Sequence, residues 1–359
     1  MPLTSPYRIE VWNPNTNLLL ADISDLCTSR HFSVRRNRPE QIDLTLNLKS
    51  AQKRAADLAT PFNQIFSSGY NDLRIARGNR YLVGGQIGYT RASLEGESSR
   101  LELRATGYLD LLKDRYLIPG DPLTYTAADI SAAAWAFINV TQLKTNGSFG
   151  MTQGTLSTSR NITDTWQPYA TSIKDILIAL SERFNSIDFE FTPDRVFSTY
   201  YPGIGTDKTD LRFSYPGNIT SLVLPSDATH IINVSINRGS GNGDTQVVET
   251  RNDTNSQLTY KRREHIDDYP SINVPATLAD KGDETLRLSA SPTTIPDIVL
   301  DGTQEPYLGA YWIGDRIKLD VDAGSAFAVL DGQTWRINEI DVTVDENDHE
   351  TIRLKVGYS

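Results

Sequence analysis

Two stretches near opposite ends of the chain run through the same patterns in the same order. The first has Asp72-Leu73-Arg74-Ile75, then Tyr81-Leu82-Val83, then an alternating stretch at 101–108 that closes on Gly107-Tyr108. The second has Asp315-Arg316-Ile317, then Trp335-Arg336-Ile337, then an alternating stretch at 352–358 that closes on Gly357-Tyr358. Alternation of apolar and polar side chains gives a strand one face for a core and one for water. A repeated succession of such strands predicts two related β units, with other material inserted between and within them. Repeated units that cannot satisfy their own strand edges commonly join into rings.

The rest of the first hundred residues has the same texture. Residues 7–12 alternate until Asn13-Pro14-Asn15 breaks the run, and 41–48 is a clean period-2 stretch. Residues 72–77 and 80–83 flank Gly78-Asn79, a hairpin signal. A second pair, 86–92 and 100–105, flanks a polar turn at 93–98, and 51–58 is a candidate helix. Short strands joined by turns predict a small antiparallel barrel or sandwich.

Past Tyr108 the period changes. Ile130, Ala133, Ala134, Phe137 and Ile138 form a helical stripe that Asp129 can cap. Ile173, Ile176, Leu177, Leu180 and Phe184 form another, with Ser172 and Asp175 spaced like a capping box. Residues 146–165, rich in Gly, Ser, Thr and Asn, predict a long loop. Strand texture returns at 231–236, followed by a Gly-rich loop at 237–245 and a short helix from Ala276. Strands are expected at 315–321, 326–330, 335–344 and 350–356, with Asp331-Gly332 as a tight turn.

Composition narrows the chemistry. The chain has 359 residues, a net charge of −10 and 38% apolar residues, enough for two or three packed domains. A lone cysteine, Cys27, excludes an internal disulfide and any multi-cysteine metal site. No apolar run approaches the ~18 residues that span a bilayer, and the N-terminus lacks the pattern of a secretory signal. Dispersed basic residues in an acidic chain argue against tight nucleic-acid binding.

No HExxH, Walker loop, G-x-S-x-G, CxxC or GxGxxG motif occurs. His31, His230, His265 and His349 are far apart in sequence. Cys27 near His31 has the residue types of an activated thiolate, and a small semi-buried side chain at a strand end is the plainer reading. Residues 320–325 resemble the start of a calcium loop without its third oxygen ligand or closing Glu, which favours a solvated turn. Asp341, Asp345, Glu346 and Asp348 read as a polar hairpin tip. Asp267-Asp268 beside Tyr269 has the residue types of a glycosidase pair, but neighbours in a chain do not share a cleft. Lys261-Arg262-Arg263 is the main basic run and reads as a solvated edge or an intersubunit contact. No catalytic, cofactor-binding or metal-binding residue is assigned.

Taken together, these segments resemble the minor tail proteins that form the tail-tip hub of long-tailed, siphovirus-like bacteriophages, relatives of the baseplate hub of contractile phages and of the hub of type VI spike proteins. The resemblance lies in the alternating strand 41–48 and in Asn71-Asp72-Leu73-Arg74-Ile75 leading to Tyr81-Leu82-Val83-Gly84-Gly85-Gln86-Ile87. It continues in Gly107-Tyr108-Leu109-Asp110-Leu111-Leu112 through Arg115, and in the 255–264 stretch, where Lys261 stands in the place of a usual glycine. Gly314-Asp315-Arg316-Ile317 and Trp335-Arg336-Ile337-Asn338-Glu339-Ile340 resemble the closing strands.

The resemblance implies a mainly β fold with α+β insertions, in which two similar antiparallel β-barrels form a pseudo-sixfold ring in a homotrimer. It implies a first barrel at 1–109, an inserted domain at 110–226, a second barrel from 227–238 and 310–359, and a second insertion at 239–309. It also implies a place at the virion tail tip, assembled in the host cytoplasm, without stable membrane insertion. The expected partners are the distal tail protein and tail tube, the tape measure protein, fibre or spike proteins, and DNA in transit through the channel. Acidic side chains are expected to line that channel, since like charge keeps DNA from sticking. Two other readings stand beside the hub. A tail-associated cell-wall hydrolase would need an appended domain, for which an end just after the last strand leaves no room. A receptor- or carbohydrate-binding module would use Trp135, Trp166 and Tyr200-Tyr201.

Overall fold

A computed structural model describes residues 6–96, 98–158, 160–183, 186–270, 272–292, 294–330 and 332–358. Strands account for 41% of the chain and helices for 22%, so it is mainly β. It divides into two compact units, one of residues 1–181, 186–222 and 297–359, the other of 182–185 and 223–296.

The larger unit is organised by a sheet of 13 strands. Strands Asp72–Arg77, Arg80–Glu95 and Ser98–Gly107 form an antiparallel meander. Arg316–Val321, Thr334–Val344 and Glu350–Tyr358 form a second. Their ladders match row by row. In one row Ile87 faces Ala105 and donates its N–H to the Asn71 carbonyl; in the other Ile337 faces Val356 and donates to the Asp315 carbonyl. Both central strands then shift register at the next residue, Gly88 or Asn338. This match sets Thr106 opposite the place of Gly357, so the two Gly-Tyr endings are one residue out of step. The duplicated order of strands is real; the motif that advertises it is offset.

The flanking strands also correspond. Gln41–Asn47 pairs with the last strand of the first meander and Asp297–Asp301 with that of the second. Cys27–Arg35 lies outside the former, and Ile219–Val223 outside the latter. Beyond Asp72–Arg77, strand Tyr7–Asn13 pairs antiparallel, whereas Phe213–Tyr215 pairs parallel with Arg316–Val321. The expected pair of barrels is corrected here: no sheet among the described residues is closed. Neither repeat closes on itself, because Cys27–Arg35 of the first pairs with residues 339–344 of the second, from Glu339 opposite Arg35 to Val344 opposite Arg30. One repeat's edge is satisfied by the other.

Several local expectations change. The turn expected at 93–98 shrinks, because Arg80–Glu95 runs on as one 16-residue strand. The expected loop at 146–165 holds strands Thr152–Leu156 and Asn161–Thr165, paired to Val196–Tyr200 and Thr124–Asp129; polar composition hid edge strands exposed on one side. The strand expected at 326–330 is a 3-10 helix, Ser325–Leu330. The short helix from Ala276 is Pro275–Ser289, with Pro275 at its start, where its missing N–H costs nothing. Leu48–Asp57 starts earlier than expected, capped by Asn47. Asp331 and Phe184 lie outside the described residues.

Inside the larger unit, helices Ile130–Gln142 and Ile173–Ser181 pack their predicted stripes into a second core with Tyr108, Leu112, Phe189 and Phe197. Asp129 caps the first by accepting from the Ser131 and Ala132 N–H groups. At the second, Ser172 accepts the Asp175 N–H, and the Asp175 carboxylate bonds the Ser172 hydroxyl instead of completing a capping box. In the smaller unit, Val234–Arg238 lies between Val248–Asn252 and Glu264–Asp268, with Pro275–Ser289 packed against this sheet. The ladder partners of Val234–Arg238 lie in 248–268.

Candidate functional site: the seam between the two meanders

Where Cys27–Arg35 meets Thr334–Val344, the pairing is reinforced by charge. His31 Nε2 lies 2.9 Å from Asp341 Oδ2 across the seam, and its Nδ1 lies 3.6 Å from Asp43 Oδ2 on the other side. The hydrogen bond to Asp341 raises the His31 pKa above its ordinary 6.5, and His31 in turn holds Asp341 below the usual carboxylate range. Arg104 pairs with Asp43 at 3.3 Å and lies over the Tyr89 ring; Arg353 pairs with Asp297 at 3.1 Å. A second bridge, Arg30 Nη1 to Asp348 Oδ1 at 2.9 Å, crosses the same seam.

Buried carboxylates tie the connecting segments to this sheet. Asp72, fully buried, takes Arg195 Nη2 at 2.7 Å and Nε at 3.1 Å, and the Tyr108 hydroxyl at 3.0 Å. Arg195 sits between strands Asp188–Phe191 and Val196–Tyr200 and stacks on the Tyr108 ring. Burial raises the Tyr108 pKa, which keeps its hydroxyl a donor. Asp188 joins both repeats: Asn37 Nδ2 donates to it at 2.7 Å, Arg336 Nη2 at 2.6 Å, and the Ile204 N–H at 2.9 Å. Asp315 accepts the N–H groups of Thr206 and Trp312, each at 2.7 Å. Glu350 takes the Tyr7 hydroxyl at 2.7 Å and Arg77 Nη1 at 2.6 Å; burial pushes its carboxyl up while these donors pull it down. Apart from Asp315 and Trp312, three residues apart, these partners are separated by 16 to 343 residues, so no local motif marks them.

A cavity of about 310 Å³ opens beside the 36–40 loop, lined by Arg36, Arg38, Glu40, Glu190, Phe191 and Trp312. Burial, with the Glu190 charge adding, pushes the Glu40 carboxyl up to about 8. A Cβ at Gly107 would lie 2.8 Å from the Glu40 backbone nitrogen as well as against its carboxylate, so glycine suits the exit from the first meander.

The residues weighed for chemistry are occupied otherwise. Cys27 is buried, donates to the Ile23 carbonyl and is pushed up to about 12, a protonated thiol rather than a nucleophile. Asp320 pairs with Arg212, and Asp345 accepts the N–H groups of Asn347 and His349 in a turn. Asp268 chelates Arg238, while Asp267, on the opposite face of its strand, meets His265. Asp227, beside His230, accepts from Thr229. Arg262 pairs with Glu264. Lys261 has φ +63°, the left-handed conformation glycine favours, at the end of helix Thr254–Tyr260; the Asn233 amide secures its carbonyl. Trp135 stacks on Phe197 and Trp166 meets Phe137 edge-on, so both serve the core. Tyr200 donates to Glu190, and Tyr201 is exposed. Among the described residues no group of three His, Cys, Asp or Glu could hold a metal, and no helix is long and apolar enough to cross a membrane.

No family model and no curated protein sequence matches this chain. Solved structures do. The 43 kDa tail protein of prophage MuSo2 from Shewanella oneidensis superposes with a TM-score of 0.69 at 11% identity, over 98% of both chains. A tail protein from Neisseria meningitidis gives 0.65 at 12% identity, over 98% of this chain and 96% of that one. An Escherichia coli type VI secretion component, described as similar to the phage T4 tail proteins gp27 and gp5, gives 0.51 at 12% identity, over 93% of this chain and 74% of that one. The duplicated meanders and their inserts therefore make up, over nearly the whole chain, the fold of these phage tail proteins and of a type VI secretion component.

Proposed function

We propose that this chain is a structural hub protein of a phage tail tip. In this reading three copies close a ring in which six related β units give a pseudo-sixfold face for the distal tail protein and tube. The opposite, threefold face meets fibre or spike proteins, and the channel passes the tape measure protein and then DNA. The observation that supports it best is the in-register pair of meanders sharing one sheet. A chain that already joins two equivalent units edge to edge needs only a third of a turn per copy to make six positions from three chains. The buried carboxylates that fasten the connecting segments to the sheet are engaged by Arg, Tyr and backbone donors, an arrangement suited to holding shape under load. A ring would also gather three times the chain's charge of −10 around one axis. Native mass measurement of the purified protein tests this. Three 40.0 kDa chains per particle supports the hub; a strict monomer at every concentration up to precipitation contradicts it.

A further inference from the structure

The sheet has an unused joint of the same kind as its used one. Within the chain, residues 339–344 form the far half of a meander's central strand and pair with Cys27–Arg35, the outer flanking strand of the other repeat. Matching Ile87 to Ile337 makes residues 89–94 the counterpart of 339–344: Thr90 faces Leu103 as Ile340 faces Leu354, and Leu94 faces Ser99 as Val344 faces Glu350. The counterpart of Cys27–Arg35 is Ile219–Val223, the outermost strand at its end of the sheet. Among the described residues neither counterpart has such a strand partner, although the Thr90 hydroxyl donates to the Phe66 carbonyl. Asp72–Arg77 pairs with Arg80–Glu95 only as far as Gln86. Tyr89 is 43% and Leu94 73% exposed, and Val223 is 55% exposed. Ile219–Val223 carries no charged residue and no proline, the usual protection of a free edge.

We infer that strand Ile219–Val223 of one copy adds to residues 89–94 of the next, repeating between chains the joint made within the chain by Cys27–Arg35 and 339–344. The contact is heterologous, since each copy offers one edge of each kind, so its repetition runs head to tail and closes when the rotation allows. The inference rests on the proposed ring and names its surface: backbone hydrogen bonds supply the join, and the apolar side chains of Leu94 and Val223 are covered by it.

Replacing the one native thiol (Cys27→Ser) and adding Leu94→Cys and Ser221→Cys permits a test with a short bismaleimide. Covalent trimers on a denaturing gel are expected from the double-cysteine protein and not from Leu94→Cys alone. A charge variant, Leu94→Asp with Val223→Asp, is expected to lower the native mass threefold while its far-ultraviolet circular dichroism is unchanged. A trimer that neither cross-links nor responds to these aspartates overturns the edge pairing and leaves the hub standing. A wild-type chain that is monomeric throughout overturns both.

Discussion

Single titratable side chains give the fold a pH signature of definite sign. His31 holds its proton more tightly folded than free, so its contribution is complete below about 6.5 and is lost as pH rises through its raised value. Glu40 goes from 4.5 to about 8 on folding, so the folded chain binds an extra proton between those values and loses stability across that window. Both act in one direction, and thermal stability is expected to fall from pH 5 to pH 8. Glu40→Gln, which mimics the protonated acid, flattens that slope and raises the melting temperature at pH 8. His31→Gln removes only the upper part; the partly exposed imidazole contributes on the order of 1 kcal/mol or less. Melting curves at several pH values check both, and a slope unchanged in Glu40→Gln contradicts the assignment. None of this is legible in the sequence. Glu40 is an ordinary acid until Gly107 lets it pack against backbone. His31 gains its role from Asp341, 310 residues away.

At the scale of elements, the alternating strands and the two apolar stripes were readable because one side of each is buried by the fold that reads it. The 41–48 run appears as a strand at 41–47, and the Ile130 stripe and the Ile173 stripe through Leu180 lie on buried helix faces. What escaped was polar: edge strands at 152–156 and 161–165, and the ion pairs fastening the inserts. Side chains facing water on one edge follow no period, and a salt bridge between distant residues leaves no spacing to find. The fastening nevertheless has unequal value. Asp72→Ala strands the buried Arg195 guanidinium and is expected to cost about 3–5 kcal/mol. Asp320→Ala removes an exposed pair with Arg212 and is expected to cost about 0–1 kcal/mol. Urea unfolding of the two variants compares them directly; equal losses would show that Asp72 does not anchor the insert.

For the whole molecule, the repeated order of strands in the sequence already contained the architecture, although its Gly-Tyr signature proved to be one residue out of register. The sequence could not reveal that the repeats share an open sheet instead of forming separate barrels, because pairing between Cys27–Arg35 and 339–344 is decided by which edges meet, not by local pattern. That sharing is the feature on which the proposed ring of copies rests. Electron microscopy of the purified, assembled protein tests this most directly. The expected image is a threefold ring with six β-rich lobes around an open axis; a ring of any other order, or separate single chains at assembly concentration, contradicts it.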